Sequence, residues 1–149
     1  MTYVIKPAQP EDTPWIVEVA AKDMICNEVK RPELYDPDRL DPIVDKIVIE
    51  GTGLICWKDG ERVGMVGGIL VPHFILPTLK VLFEVVWYVE SEHRQTRAPY
   101  LLMRGYKKLV DDKADEGIFT LLKDSPVKDA SLEKLGFFLQ EKHYIYRKY

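Results

Sequence analysis

The stretch that most constrains this chain is the run Val81-Leu-Phe-Glu-Val-Val-Trp-Tyr-Val89, followed by Glu-Ser-Glu-His-Arg-Gln-Thr-Arg-Ala-Pro99. It reads as a buried strand that breaks into a polar, basic turn and then starts a helix carrying Leu102, Tyr106, Leu109 and Val110. A strand feeding a helix N-terminus makes an anion cradle, because the first helical turn leaves backbone N–H groups unpaired and positively polarised. The turn adds His93, Arg94 and Arg97. A phosphorylated ligand is the natural expectation, against the plainer reading of a solvated basic turn.

The 149 residues fit one domain spanning 1–149 with a single sizeable core. A composition of 46% hydrophobic and 30% charged residues is that of a globular protein. Cys26 and Cys56 are far apart and outside any C-x-x-C pattern, which speaks against a zinc site or a disulfide scaffold and for a reducing compartment. The N-terminus has no signal-peptide core, and the longest apolar run, Val63 to Val71, holds three glycines and is too short to span a bilayer. The expectation is a cytoplasmic protein with no membrane partner. No dense basic stripe interleaves with aromatics, so nucleic acid is not expected either. Residues 1–50 carry six Lys/Arg against eleven Asp/Glu, and residues 51–149 carry fifteen against thirteen. That asymmetry suggests an acidic region drawing cations beside a region tolerating anions.

Tyr3 to Lys6 reads as an opening strand that Pro7 and Pro10 terminate. Thr13-Pro14 reads as an N-cap and a first-turn proline, ahead of a helix with Ile16, Val19, Ala20 and Met24 on its apolar face. A second helix is expected from about Leu40 to Glu50, closed by Gly51. Leu54–Trp57 and Arg62–Val71 form strands around Asp59-Gly60, a strong hairpin signal. After the central strand come a helix from about Pro99 to Glu116 with Gly117 as its C-cap and a strand Ile118–Leu122. A short helix Asp129–Leu135 stopped by Gly136 and closing strands Phe137–Gln140 and His143–Lys148 complete the chain. The order is β-α-α-β-β-β-α-β-α-β-β, an α/β (α+β) arrangement around one mixed, mostly antiparallel sheet.

That order resembles the GNAT superfamily of acetyl-CoA-dependent N-acyltransferases over essentially the whole chain. Tyr3-Val-Ile-Lys-Pro-Ala-Gln-Pro-Glu-Asp12 is similar to the family's opening strand and acidic helix start. Trp87-Tyr-Val-Glu-Ser-Glu-His-Arg94 is similar to its fourth strand, and Leu132-Glu-Lys-Leu-Gly-Phe137 to its late helix and the Gly-Phe that follows. The phosphate-binding frame departs from the family: it reads Arg94-Gln-Thr-Arg97-Ala-Pro99, with both small positions lost and no amide hydrogen at Pro99. The tyrosine that often protonates the leaving thiolate maps onto Leu132. These departures also resemble divergent GNAT proteins encoded by bacteriophages, which would work in the host cytoplasm.

The resemblance implies acetyl-CoA as co-substrate and transfer of its acetyl group to a primary amine, a protein lysine or N-terminus or a small cationic amine. It implies that Trp87, Tyr88 and Val89 pair with the pantetheine arm through their backbone. It implies that Arg94, Gln95, Thr96, Arg97 and Ala98 take the diphosphate through open amides, and that Ser125 stands where an asparagine often touches the cofactor. Glu84 is the only charge inside an otherwise apolar and aromatic strand, which makes it the expected general base unless it pairs structurally or faces solvent. His73 in the preceding turn is the alternative base, and Tyr88 and Tyr144 are candidate acids. Glu28, Glu33, Asp36, Asp38 and Asp41 would attract a cationic acceptor. The competing reading is a catalytically inactive GNAT-fold binding or assembly protein. A third rests on Tyr144, Tyr146 and Tyr149 as an aromatic edge where a homodimer would pair.

Overall fold

The computed structural model describes residues 2–23, 32–122 and 125–148. Five strands form one sheet in the order β1-β2-β3-β4-β5: β1 Tyr3–Pro7, β2 Gly53–Lys58, β3 Glu61–Pro72, β4 Lys80–Val89 and β5 Glu116–Ile118. The first four pair antiparallel, and β4 pairs with β5 in parallel. Two helices, α1 Thr13–Asp23 and α2 Leu40–Glu50, cover one face, where Ile16, Val19, Leu40 and Val44 meet Ile55, Met65, Val86 and Tyr88. The helix α3 Ala98–Lys113 covers the other face with Leu102 and Tyr106 against Leu54, Cys56, Val66, Leu82 and Val89. A short helix, α4, spans Asp129–Lys134. This is the expected α/β class, with helices on both faces of a mostly antiparallel sheet. No helix among the described residues is long and apolar enough to cross a membrane.

Local signals placed most elements. Gly51 ends α2 in the left-handed region at φ 68°, and its N–H donates to the carbonyls of Ile47 and Val48. Asp59 and Gly60 both have positive φ, as a two-residue hairpin turn requires. The start of α1 differs from expectation. A 3-10 turn over Pro10–Asp12 precedes it, Gln9 N donates to Asp12 Oδ2 at 2.8 Å, and Thr13 is already helical. Asp12 is buried, and Arg62 donates to its Oδ1 through Nε at 2.9 Å and Nη2 at 2.8 Å. That ion pair ties the head of α1 to β3, and the Arg62 guanidinium also lies 4.8 Å from the Trp57 ring centre. Met24 and Cys26 lie outside the described residues.

Gly117 is not a helix cap. It sits inside β5, where a β-carbon would collide with Val110, so its role is the close approach of strand to helix. The strand expected to reach Leu122 stops at Ile118, and the closing strands Phe137–Gln140 and His143–Lys148 are not formed. A three-residue β5 offers too short an edge for another strand to add to. Phe138, Leu139, Tyr144, Ile145 and Tyr146 stay exposed, and Phe137 alone of that segment packs inward. Among the described residues no strand carries Tyr144 and Tyr146, so the aromatic edge expected for a homodimer is not formed there, and Tyr149 lies outside the described residues.

The feature that positions the site is a bulge in β4. Gly67 pairs with Val86 and Gly68 with Glu84, which leaves Val85 as an extra residue. The bulge resets the alternation of faces: Leu82 packs toward α3, Val85 and Val86 both toward α1 and α2, and Trp87 and Val89 toward α3 again. Gly68 makes this geometry accessible, since a β-carbon there would lie 2.6 Å from the carbonyl oxygen of Phe83. Its own N–H donates to Thr52 O at 3.1 Å and its carbonyl accepts from Thr52 Oγ1 at 2.5 Å, so both groups are spent away from β4. Thr52 is fully buried and linked in turn to α2 through its N–H on Ile47 O at 3.0 Å.

Gly68→Ala should lower stability by about 1–3 kcal/mol, because backbone cannot swing out of the way as a side chain does. Gly67→Ala should cost less, its nearest neighbour being an Ile47 methyl at 3.1 Å. Denaturant midpoints of the two variants check the ranking. A second expectation concerns Cys56, whose thiol burial pushes up from an ordinary 9.0 to about 11. The unfolded thiol ionises first, so this stability is complete below pH 9 and is lost as pH rises to about 11. Wild type should lose about 2–3 kcal/mol more than Cys56→Ala across that window in pH-dependent urea melts.

Candidate active site

The pairing of β4 with β5 ends at Phe83 opposite Ile118. Beyond that rung the two strands part, and a cleft of about 360 Å³ opens between residues 84–89 on one side and Thr120, Leu122 and residues 125–127 on the other. In sheets with parallel strands, ligands bind in crevices outside the carboxyl ends of the strands, which is where this cleft lies. Glu84 and Val85 follow the last rung at its closed end, Arg94 and Pro99 follow the end of β4 at the other, and Asp23 and Ser125 are also among its lining. The cleft is polarised, with the Glu84 carboxylate at one end and a guanidinium at the other.

Glu84 is half-buried on the α3 side of the sheet, within electrostatic reach of Tyr106. Tyr106 is fully buried and holds its proton far above the ordinary tyrosine range, first through burial and then through the Glu84 charge. Trp87, Tyr88 and Val89 line the cleft as expected. The indole Nε1 of Trp87 is buried without a hydrogen-bond partner, an omission that costs about 1–3 kcal/mol. The Val89 carbonyl is occupied, accepting from Arg94 Nε at 2.8 Å.

The turn is partly closed on itself. Arg94 N donates to Ser91 O at 3.4 Å, Thr96 N to His93 O at 3.3 Å and Ala98 N to Thr96 Oγ1 at 3.2 Å. The first two are long for N–H···O bonds. Among the described residues the amides of Gln95 and Arg97 have no partner. The expectation that the amides of residues 94–98 are all open is corrected to two of them, because the polar residues of the turn fold it into successive tight turns. Ala98, the first residue of α3, is buried and presents no surface. Gln95 and Thr96 line an adjoining hollow of about 210 Å³ with Tyr100, Lys128 and Ser131. Arg97 is exposed. Ser125 lines the cleft, and its Oγ accepts from Val127 N at 3.3 Å.

The other candidates are placed elsewhere. His73 is not in the cleft: it sits where β3 ends, and its Nδ1 accepts from the N–H groups of Ile75 and Leu76, both at 3.1 Å. Tyr88 turns its ring to the α1–α2 face, and its hydroxyl donates to Glu90 Oε2 at 3.1 Å. Burial first, and then Glu90, push its pKa above the ordinary tyrosine value. Tyr144 is exposed in the tail. Leu132 is a half-buried aliphatic residue of α4 with no proton to give. Asp23, Thr120 and Tyr106 were missed from sequence. Tyr106 in particular reads there as one more residue of an apolar helical stripe.

No family model matches the sequence, and no curated protein matches it at a significant level. Solved structures do match. The aminoglycoside acetyltransferase AAC(6')-Iy, in complex with a CoA-S-monomethyl-acetylneamine bisubstrate analogue, superposes with a TM-score of 0.70 at 15% identity, covering 100% of this chain and 99% of the other. The fold is that of acetyltransferases. A ribosomal-protein-alanine N-acetyltransferase from Brucella melitensis superposes at 0.69 with 16% identity over 99% of this chain and 98% of its own. A predicted acetyltransferase from Clostridium acetobutylicum with acetyl-CoA superposes at 0.70 with 13% identity over 98% of this chain and 96% of its own.

Replacing Glu90 by Gln removes a negative charge and an anionic acceptor from the Tyr88 hydroxyl. Its pKa should fall toward the usual tyrosine value while remaining raised by burial. A pH titration of ¹³Cζ-tyrosine NMR resonances in wild type and Glu90→Gln measures the difference.

Proposed function

We propose that this chain is an N-acetyltransferase that moves the acetyl group of acetyl-CoA directly to a primary amine. The observation that carries the proposal is the polarised cleft at the parting of β4 and β5, in a fold shared with acetyltransferases, one of them holding acetyl-CoA and another a bisubstrate analogue. The residues suit such a co-substrate. Arg94 and Arg97 with the free amides of Gln95 and Arg97 would hold the diphosphate through charge-assisted bonds. The Trp87 indole N–H is a buried donor in want of a carbonyl. Acetyl-CoA supplies an activated acyl carbon on a thioester.

Glu84 would take the proton from the attacking ammonium, so that the neutral amine forms the new C–N bond as the C–S bond breaks, and the second nitrogen proton would leave with the departing thiolate or to water. Of the candidate tyrosines, Tyr88 commits its hydroxyl proton to Glu90 and Tyr144 is exposed in the tail, so neither is offered to the sulfur. The step does not require one, since alkyl thiols ionise near pH 8.5 and the thiolate is a tolerable leaving group at about neutral pH. The acceptor would be cationic, as Glu84 at the closed end and Asp23 in the lining favour. It would work in the cytoplasm, where its co-substrate is available.

A second reading, a binding or assembly protein without turnover, is favoured by the self-bonded amides of Arg94, Thr96 and Ala98 and by the aliphatic Leu132. Calorimetry separates the two. Acetyl-CoA at a hundredfold excess over its Kd should stabilise the folded protein by about 2.7 kcal/mol. The absence of both heat and a shift in melting temperature at millimolar acetyl-CoA would exclude the transferase. With binding established, thiol release over a panel of amines should drop by about a hundredfold or more in Glu84→Gln. Equal rates would remove Glu84 from the chemistry.

A further inference from the structure

The point at which β4 and β5 separate is marked by one side chain. The Tyr106 hydroxyl of α3 lies 2.8 Å from the carbonyl oxygen of Leu82 on β4 and 2.7 Å from that of Ile118 on β5. These two carbonyls flank the last rung of the parallel ladder. One hydroxyl proton serves both, donating to either in turn, so the oxygen staples the two strands at the apex of the cleft. Immediately beyond the staple the ring of Phe119 fills the widening gap. It packs edge-on to Tyr106 with centres 5.3 Å apart and to Trp87 at 4.7 Å. On the opposite strand, the Val85 bulge turns β4 aside two residues later.

We propose that Tyr106 is the positioning residue of this cleft: its hydroxyl fixes where the strands part, and with Phe119 it sets the spacing between the Glu84–Val89 wall and the wall that Thr120, Leu122 and residues 125–127 form. The inference rests on the transferase reading for its ligand, not for its geometry. An extended ligand laid between the walls needs both edges at hydrogen-bonding distance at once, so a loosened apex weakens every contact along it. The same apex holds Glu84, one residue past the last rung, at the closed end where an acceptor amine would enter. Burial and the Glu84 charge keep the Tyr106 hydroxyl protonated, so it acts as a donor throughout the accessible pH range.

Tyr106→Phe removes the hydroxyl and keeps the ring contacts. Hydrogen–deuterium exchange over residues 116–122 should speed up by about tenfold, the size of effect that losing one net hydrogen bond allows. Exchange in α1 and α2 should be unchanged, and the Kd for acetyl-CoA, read well below the variant's melting temperature, should rise by a similar factor. Phe119→Leu, which keeps the hydroxyl, should leave exchange over residues 116–118 as in wild type and raise Kd less. Unchanged exchange in Tyr106→Phe overturns the proposal whether or not acetyl-CoA binds, which keeps its failure distinct from failure of the transferase reading. A lowered melting temperature with unchanged Kd, or complete failure to fold, would assign Tyr106 to the core alone and also overturn it. If Phe119→Leu matched or exceeded Tyr106→Phe in both measurements, the ring and not the hydroxyl would set the spacing.

Discussion

Gly68 and Thr52 make the contact on which the rest of the structure depends. With both backbone groups of Gly68 bonded to Thr52, the middle of β3 is held toward β2 and α2. Its missing β-carbon then lets the Phe83 carbonyl come close enough for β4 to kink at the next residues. From that kink follow the extra residue Val85, the change of face along β4 and the loss of pairing with β5 after Ile118. A regular ladder would have continued to pair residues 84–87 with residues 119–122 and closed the space that is now the cleft. The cavity is thus the outcome of backbone geometry, in which buried polar groups are satisfied first and side chains fill what remains.

The chemistry of the cleft follows from where that geometry leaves each charge. The kink sets Glu84 at the closed end on the α3 side, half-buried beside a protonated Tyr106. The basic turn falls at the open end, where β4 gives way to α3. A long ligand with an anionic tail and a reactive tip has one favourable orientation in such a field. The cost of the arrangement is visible in Trp87, whose indole N–H is buried unpaired, and in the long hydrogen bonds of the turn. Both are places where polar groups of the protein are poorly served by the protein itself, as binding sites commonly are.

Elements bounded by local chemistry could be read from the sequence. Thr13-Pro14, Gly51 and the Asp59-Gly60 turn act through their own backbone, and they placed α1, α2 and the β2–β3 hairpin to within a few residues. The apolar run ending at Val89 likewise announced the central strand, and the basic turn after it announced one end of the cleft. Features decided by contact between distant segments could not be read. Gly117 looks like a helix cap and is instead a steric allowance for Val110. The glycines of β3 gave no hint that a bulge lay opposite them. The tail residues 137–148 alternate plausibly, yet a strand needs an edge to join, and β5 is too short to supply one. His73 had the right side chain for a base and the wrong place, and Tyr106 looked like ordinary core.

The central claim, that the cleft between β4 and the facing Thr120, Leu122 and residues 125–127 receives a CoA thioester, is tested most directly by a two-dimensional ¹H–¹⁵N NMR titration with acetyl-CoA. The account expects saturable shifts at residues 84–89, at Gln95 and Arg97 and at Ser125 and Val127, with the amides of α2 and β1 unmoved. Shifts centred elsewhere, or none at a millimolar concentration of acetyl-CoA, would contradict it.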